Sequence, residues 1–185
     1  MKKSKFSIAV VLIIVLPLTT FFVSCVKEEV DNEKPVINLI EPAADEVLMP
    51  GDAIHFNVEF FDNAALALYK VNIHGAFDGH THHATAGTKS TRAESDSIAF
   101  EKTWMESDFL SLGEAPIAGS KNVIVEHQHM VIPEMISRTV NGTNVELPLK
   151  EGHYHFIVYC TDESGQESFV ARDIFISYDA DNHHH

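Results

Sequence analysis

Gly152-His153-Tyr154-His155-Phe156-Ile157-Val158-Tyr159-Cys160 is the stretch on which the fold turns. Tyr154, Phe156, Val158 and Cys160 alternate with His153, His155, Ile157 and Tyr159. That period of two is the pattern of a strand with one face on a core. It also has a chemical side. His-x-His on a strand places both rings on one face, here the face away from Tyr154 and Phe156, with Cα atoms roughly 7 Å apart.

The same alternation recurs outward along the chain. Val36 to Leu39 opens it. Ile54, Phe56, Val58 and Phe60 alternate with His55, Asn57 and Glu59, and Tyr69, Val71 and Ile73 with Lys70, Asn72 and His74. Ile98, Phe100 and Trp104 mark a further strand, and Phe169 to Ser177 the last. Val123 to Ile132 is β-rich but has apolar residues on both parities. No long segment has helical period, although Glu106 to Leu112 suits one short turn. Strands of this number and length predict an all-β chain folded as a sandwich.

Several of these segments resemble bacterial Ig-like domains. Lys34-Pro35-Val36-Ile37-Asn38-Leu39-Ile40-Glu41-Pro42 is similar to their opening strand, and Gly51-Asp52-Ala53-Ile54-His55-Phe56-Asn57-Val58 to their second. Phe61-Asp62-Asn63-Ala64-Ala65-Leu66 resembles the turn into their third. Gly152 to Phe156, with the turn Asp162-Glu163-Ser164-Gly165-Gln166-Glu167-Ser168, resembles their sixth strand and the approach to the seventh. The resemblance lapses over 76–149, an enlarged middle section. It implies an Ig-like or fibronectin-III-like β-sandwich over residues 35–178. The whole resembles uncharacterised His-rich Ig-like lipoproteins of the Bacteroidota, a domain of unknown function that brings no activity with it.

The ends of the chain bear on location. Lys2, Lys3 and Lys5 followed by the apolar run Ile8 to Leu16 read as a signal peptide over residues 1–24, too short to span a membrane. Phe22-Val23-Ser24-Cys25 resembles a bacterial lipobox, which implies that Cys25 becomes a lipidated N-terminus; the alternative is a plain secretory signal. Residues 25–34 are expected to be a flexible tether. Within it Val26-Lys27-Glu28-Glu29 resembles the export tag of surface lipoproteins. These resemblances imply an outer-membrane lipoprotein facing the cell surface, with the periplasmic face as the alternative. Residues 179–185 form an acidic, His-bearing tail, whose His183 to His185 are set aside as a tail or tag remnant.

The formal net charge is −14. Without residues 1–24, whose three lysines are their only charges, it is −17. Such a chain has no use for nucleic acid, whose phosphates need clustered Lys and Arg, and attracts cations. Only Cys160 would remain beside a lipidated Cys25, so no disulfide within the domain is expected. Its place on the apolar parity predicts a buried, inert thiol.

Eight of the 12 histidines are clustered: His74; His80, His82 and His83; His127 and His129; and His153 and His155. In an Ig-like sandwich the third strand ends beside the start of the sixth. The apolar phases then turn His74, His153 and His155 to one outer face at one pole. His80 to His83 follow His74 at once and must start there. His127 and His129 are the doubtful arm: if Val123 and Val125 face the core, the two histidines do so too unless the strand bends. His55 has no histidine partner and is read as a surface residue.

Imidazole-rich ligand sets select zinc first, then copper or nickel, over calcium or magnesium. Asp78, Glu126 and Glu134 are candidate oxygen ligands or orienting groups, and Met130 beside His129 would tilt the choice to copper. The expected function is metal capture, storage or delivery, with the metal ion and the membrane as partners and any protein partner open. Two other classes compete. One is a metal-dependent hydrolase or copper redox protein using Glu126 or Glu134 as base, although no His-Glu-x-x-His motif is present. The other is an adhesion or assembly module stapled by metal.

Overall fold

The computed structural model describes residues 31–77 and 97–179. In chain order the elements are β1 (Val36–Glu41), β2 (Glu46–Leu48), β3 (Ala53–Phe61), β4 (Leu66–Gly75), β5 (Glu101–Met105), α1 (Glu106–Leu110), β6 (Asn122–Val131), β7 (Met135–Val140), β8 (Thr143–Pro148), β9 (Gly152–Asp162) and β10 (Glu167–Ile176). Two sheets face each other, one ordered β1-β3-β6 and the other β2-β10-β9-β4-β5. This is an all-β sandwich with Ig-like strand order.

The alternating segments are the central strands. β4 and β10 each run antiparallel to β9. Their inward parities, Tyr69, Val71 and Ile73 on β4 and Tyr154, Phe156, Val158 and Cys160 on β9, are buried in one core with Ile54, Phe56, Val58 and Phe60 of β3. Phe56 packs on Phe156 at 6.1 Å and Tyr69 stacks on Phe109 at 5.7 Å between ring centroids. Each such buried apolar side chain contributes about 1.5–3 kcal/mol over its exposed state.

Three strands were not anticipated. β2 is a three-residue edge strand parallel to β10. Among the described residues, β7 and β8 form a two-stranded hairpin that pairs with no other strand. Where the sequence suits one short turn, the described residues include one short helix, α1, whose Phe109 is fully buried and whose Glu106 accepts a 2.8 Å bond from the Ile117 amide.

β6 explains its own mixed pattern. Opposite β3 its register shifts: Phe56 faces His127, whereas Ile54 faces Met130. Three residues of β6 thus span two of β3, a bulge that reverses the parity. Val125 and His127 point inward before it, Met130 and Ile132 after it.

Candidate metal centre

β4 and β9 place His74 directly across from His155. Their rings are edge to face, centroids 5.2 Å apart, with Nε2 of His74 3.4 Å from Nδ1 of His155. The outer nitrogens decide what lies between them. Nδ1 of His74 is 2.6 Å from Oδ1 of Asn72. The Asn72 amide is oriented by its other contacts, because its Nδ2 donates to the Lys102 carbonyl at 3.4 Å and to Thr103 Oγ1 at 2.9 Å. A carbonyl only accepts, so the amide oxygen faces His74 and Nδ1 is the protonated nitrogen of that ring. On the other side, Nε2 of His155 is 3.3 Å from Oδ1 of Asp173, a carboxylate that favours the proton on Nε2.

Both facing nitrogens of the neutral pair therefore carry lone pairs. Two acceptors do not hydrogen-bond each other, so the contact suits either an added proton or a metal. For zinc–nitrogen bonds of about 2.0–2.1 Å at a tetrahedral angle, two ligand nitrogens are about 3.3–3.4 Å apart. The Asn72 and Asp173 contacts are those that hold a ligating imidazole in the correct tautomer.

His155 is 3% exposed although it faces away from the core, and Ile157 beside it on that face is 2% exposed. His153 shares the face but is exposed, its ring edge-on to Phe175 at 5.2 Å. Its carbonyl accepts from the Ala76 amide at 2.9 Å, so the chain leaving β4 is held at this pole. Phe77 follows, packed on Tyr154 at 5.3 Å over two glycines. A Cβ on Gly152, whose φ is +136°, would lie 2.8 Å from the Phe77 ring. His80, His82, His83 and Asp78 lie outside the described residues, as do Cys25 and His183 to His185.

His127 and His129 are not brought to this pair. They lie on the three-stranded sheet, and the body of the five-stranded sheet separates its inner side from the outer face that carries His74 and His155. His127 is 6% exposed, packed between Phe56 and Phe109 at 5.1 and 4.4 Å. Burial holds its pKa below the usual histidine value, against the opposing pull of Glu114. Its Nε2 is buried without a hydrogen-bond partner. His129 is half-buried and pairs with Glu114 at 2.8 Å. It lines a shallow pocket with Lys102, Trp104, Asp108 and Phe109.

Glu126 and Glu134 are elsewhere too. Glu126 is on the outer face of the three-stranded sheet, 3.4 Å from Nε2 of His55, whose Nδ1 pairs with Glu41. Glu134 packs beneath Gly51. Met130 is fully buried among core residues. Cys160 is buried as expected, its thiol pushed up to about 12 by burial and then by Asp62, Glu106, Asp162 and Glu167. Asn72, Asp173 and Glu114 were the residues that sequence reasoning missed. Asn72 alone left a signal, being two residues before His74 on the same strand face.

An Ig-like sandwich with paired histidines on an outer sheet face thus defines the class. The chain belongs to the family described as DUF4625, a domain of unknown function, whose model matches residues 23–177 and so includes the enlarged middle section. No curated protein matches the chain. Among the described residues no helix is long and apolar enough to cross a membrane.

Proposed function

We propose that this protein is a membrane-anchored, surface-facing lipoprotein of the His-rich bacterial type that binds a transition metal, zinc before copper, for capture, storage or delivery. The observation that carries the reading is the 3.4 Å approach of His74 Nε2 to His155 Nδ1 with both outer nitrogens held by acceptors. His74 and His155 are the nucleus of the site. Its remaining ligands are drawn from His153 and from His80, His82 and His83, which follow His74 by six, eight and nine residues. The lipid on Cys25 is the anchor. The hydrolase alternative loses support, because neither Glu126 nor Glu134 stands near the pair to serve as base.

The test is zinc titration of purified, chelator-stripped protein by calorimetry, beside a His74→Ala/His155→Ala variant. The expected result is one tight site in the parent chain and at least a hundredfold weaker binding in the variant. Equal affinity in the two proteins would overturn the placement.

A further inference from the structure

A second group of ligand atoms lies at the other pole, where the chain enters the domain. Asp62 follows β3 directly, Asp162 ends β9, and Asp31 belongs to the segment before β1. One ligand oxygen from each lies within 4.8 Å of those of the other two. Asp62 is 1% exposed and Asp162 2%.

Their hydrogen bonds leave a consistent remainder. Oδ1 of Asp62 accepts from the Ala64 amide at 2.8 Å. Oδ1 of Asp162 accepts from the Gln166 amide and Ser164 Oγ, both at 2.8 Å. Oδ1 of Asp31 accepts from Asn63 Nδ2 at 3.1 Å and the Glu33 amide at 3.0 Å. The second oxygen, Oδ2, of all three acids is buried with no hydrogen-bond partner. Among the described residues no Lys, Arg or His forms an ion pair with any of them. The neighbouring ammonium, Lys121 Nζ, instead donates to the Asn63 carbonyl at 2.8 Å.

Three clustered acids with three orphaned, buried oxygens are not a stable end state for carboxylates. Each such oxygen has lost water without a replacement, and the like charges repel. A hard cation satisfies both demands. We propose that Asp31, Asp62 and Asp162 form a calcium site, distinct from the histidine pair and independent of it. The set is all oxygen and all anionic, which selects calcium or magnesium over zinc. Three carboxylates supplied by the protein favour calcium, because magnesium keeps several of its waters and is usually held by one or two carboxylates. Waters and backbone carbonyls complete the shell.

The site has a mechanical meaning. Asp62 and Asp162 belong to the sandwich, whereas Asp31 belongs to the entering segment. Gln166 Nε2 already donates to the Asp31 and Glu33 carbonyls at 3.2 and 3.1 Å. Calcium locks that segment onto the end of β9, so that the domain's orientation on its tether becomes calcium-dependent.

Calorimetry with calcium chloride alone, on chelator-stripped protein, is the experiment. The expected result is one calcium per chain at an affinity typical of extracellular modules, roughly 10⁻⁴–10⁻³ M, with a rise in melting temperature. Asp162→Asn should abolish both. Asp31→Asn lies outside the sandwich core and leaves the fold intact; it should weaken binding at least tenfold. His74→Ala/His155→Ala should bind calcium as the parent does. Absence of calcium binding, binding unchanged in Asp31→Asn, or a preference for magnesium over calcium would each overturn the proposal.

Discussion

Asn72 and His74, two residues apart on β4, are joined by a 2.6 Å contact between Oδ1 and Nδ1 that sets which nitrogen of His74 faces His155. Removing it frees the ring to adopt the other tautomer and to rotate. Asn72→Ala should therefore lower zinc affinity about 10–100-fold, the usual effect of deleting an orienting partner. Its melting temperature should stay near that of the parent, because Asn72 lies outside the core. Zinc titration and thermal unfolding of the same sample check both halves.

Zinc binding should also separate the two histidines of β9. His155 faces His74, whereas His153 is exposed and two residues away. His155→Ala should weaken zinc by a larger factor than His153→Ala, read in a competition assay against a chromophoric chelator. Equal losses would mean that the pair is not the nucleus of the site.

His127 makes a prediction about acid stability. Its folded pKa is depressed by burial, while the unfolded ring titrates near the ordinary 6.5. As pH falls through that value, the unfolded state binds a proton that the folded state refuses. Stability is therefore whole above about pH 6.5 and is lost progressively below it, until the depressed folded pKa is reached. His127→Leu removes the titration and the orphaned Nε2 while keeping an apolar contact for Phe56 and Phe109. Urea unfolding at pH 7.5 and 5.0 should show a smaller acid loss in the variant than in the parent.

Cys160 should behave as a reporter of global unfolding. Its thiolate is suppressed by burial, so a thiol reagent at neutral pH should react only at the rate at which the domain opens. Fast labelling under native conditions would contradict the packing. Replacement by serine buries a hydroxyl among apolar neighbours and should cost about 1–3 kcal/mol in denaturant unfolding.

Gly152 offers a mechanical handle on the segment that follows β4. Gly152→Ala meets both a positive φ and the Phe77 ring. The strain should cost about 1–3 kcal/mol. Phe77 is displaced with it, and zinc affinity should fall if His80, His82 or His83 complete the site, as titration of the variant would show.

How much of this was written in the sequence depends on the element. The phase of Tyr69, Val71 and Ile73 against Tyr154 and Phe156 is strict, so the side of the sheet on which His74 and His155 meet follows from alternation alone. β6 was illegible for a definite reason: a bulge between His127 and Met130 switches the inward parity, and alternation carries no sign of where an extra residue falls. Among the described residues β7 and β8 pair only with each other, and the largely exposed side chains of β8 leave no apolar face to read. Asp62 and Asp162 were legible only as turn residues. That their carboxylates converge depends on β3 and β9 ending at the same pole, and Asp31 lay in a segment expected to be a loose tether.

The register of β9 has a final consequence for distance. Asp162 and His155 are seven residues apart on one continuous strand. At about 3.3 Å per residue, that is roughly 23 Å of hydrogen-bonded sheet. The sandwich is then a strut. Under the proposed calcium site and lipid anchor, the histidine pair would stand at the far end of that strut, where an ion arriving from outside meets it before it meets the membrane.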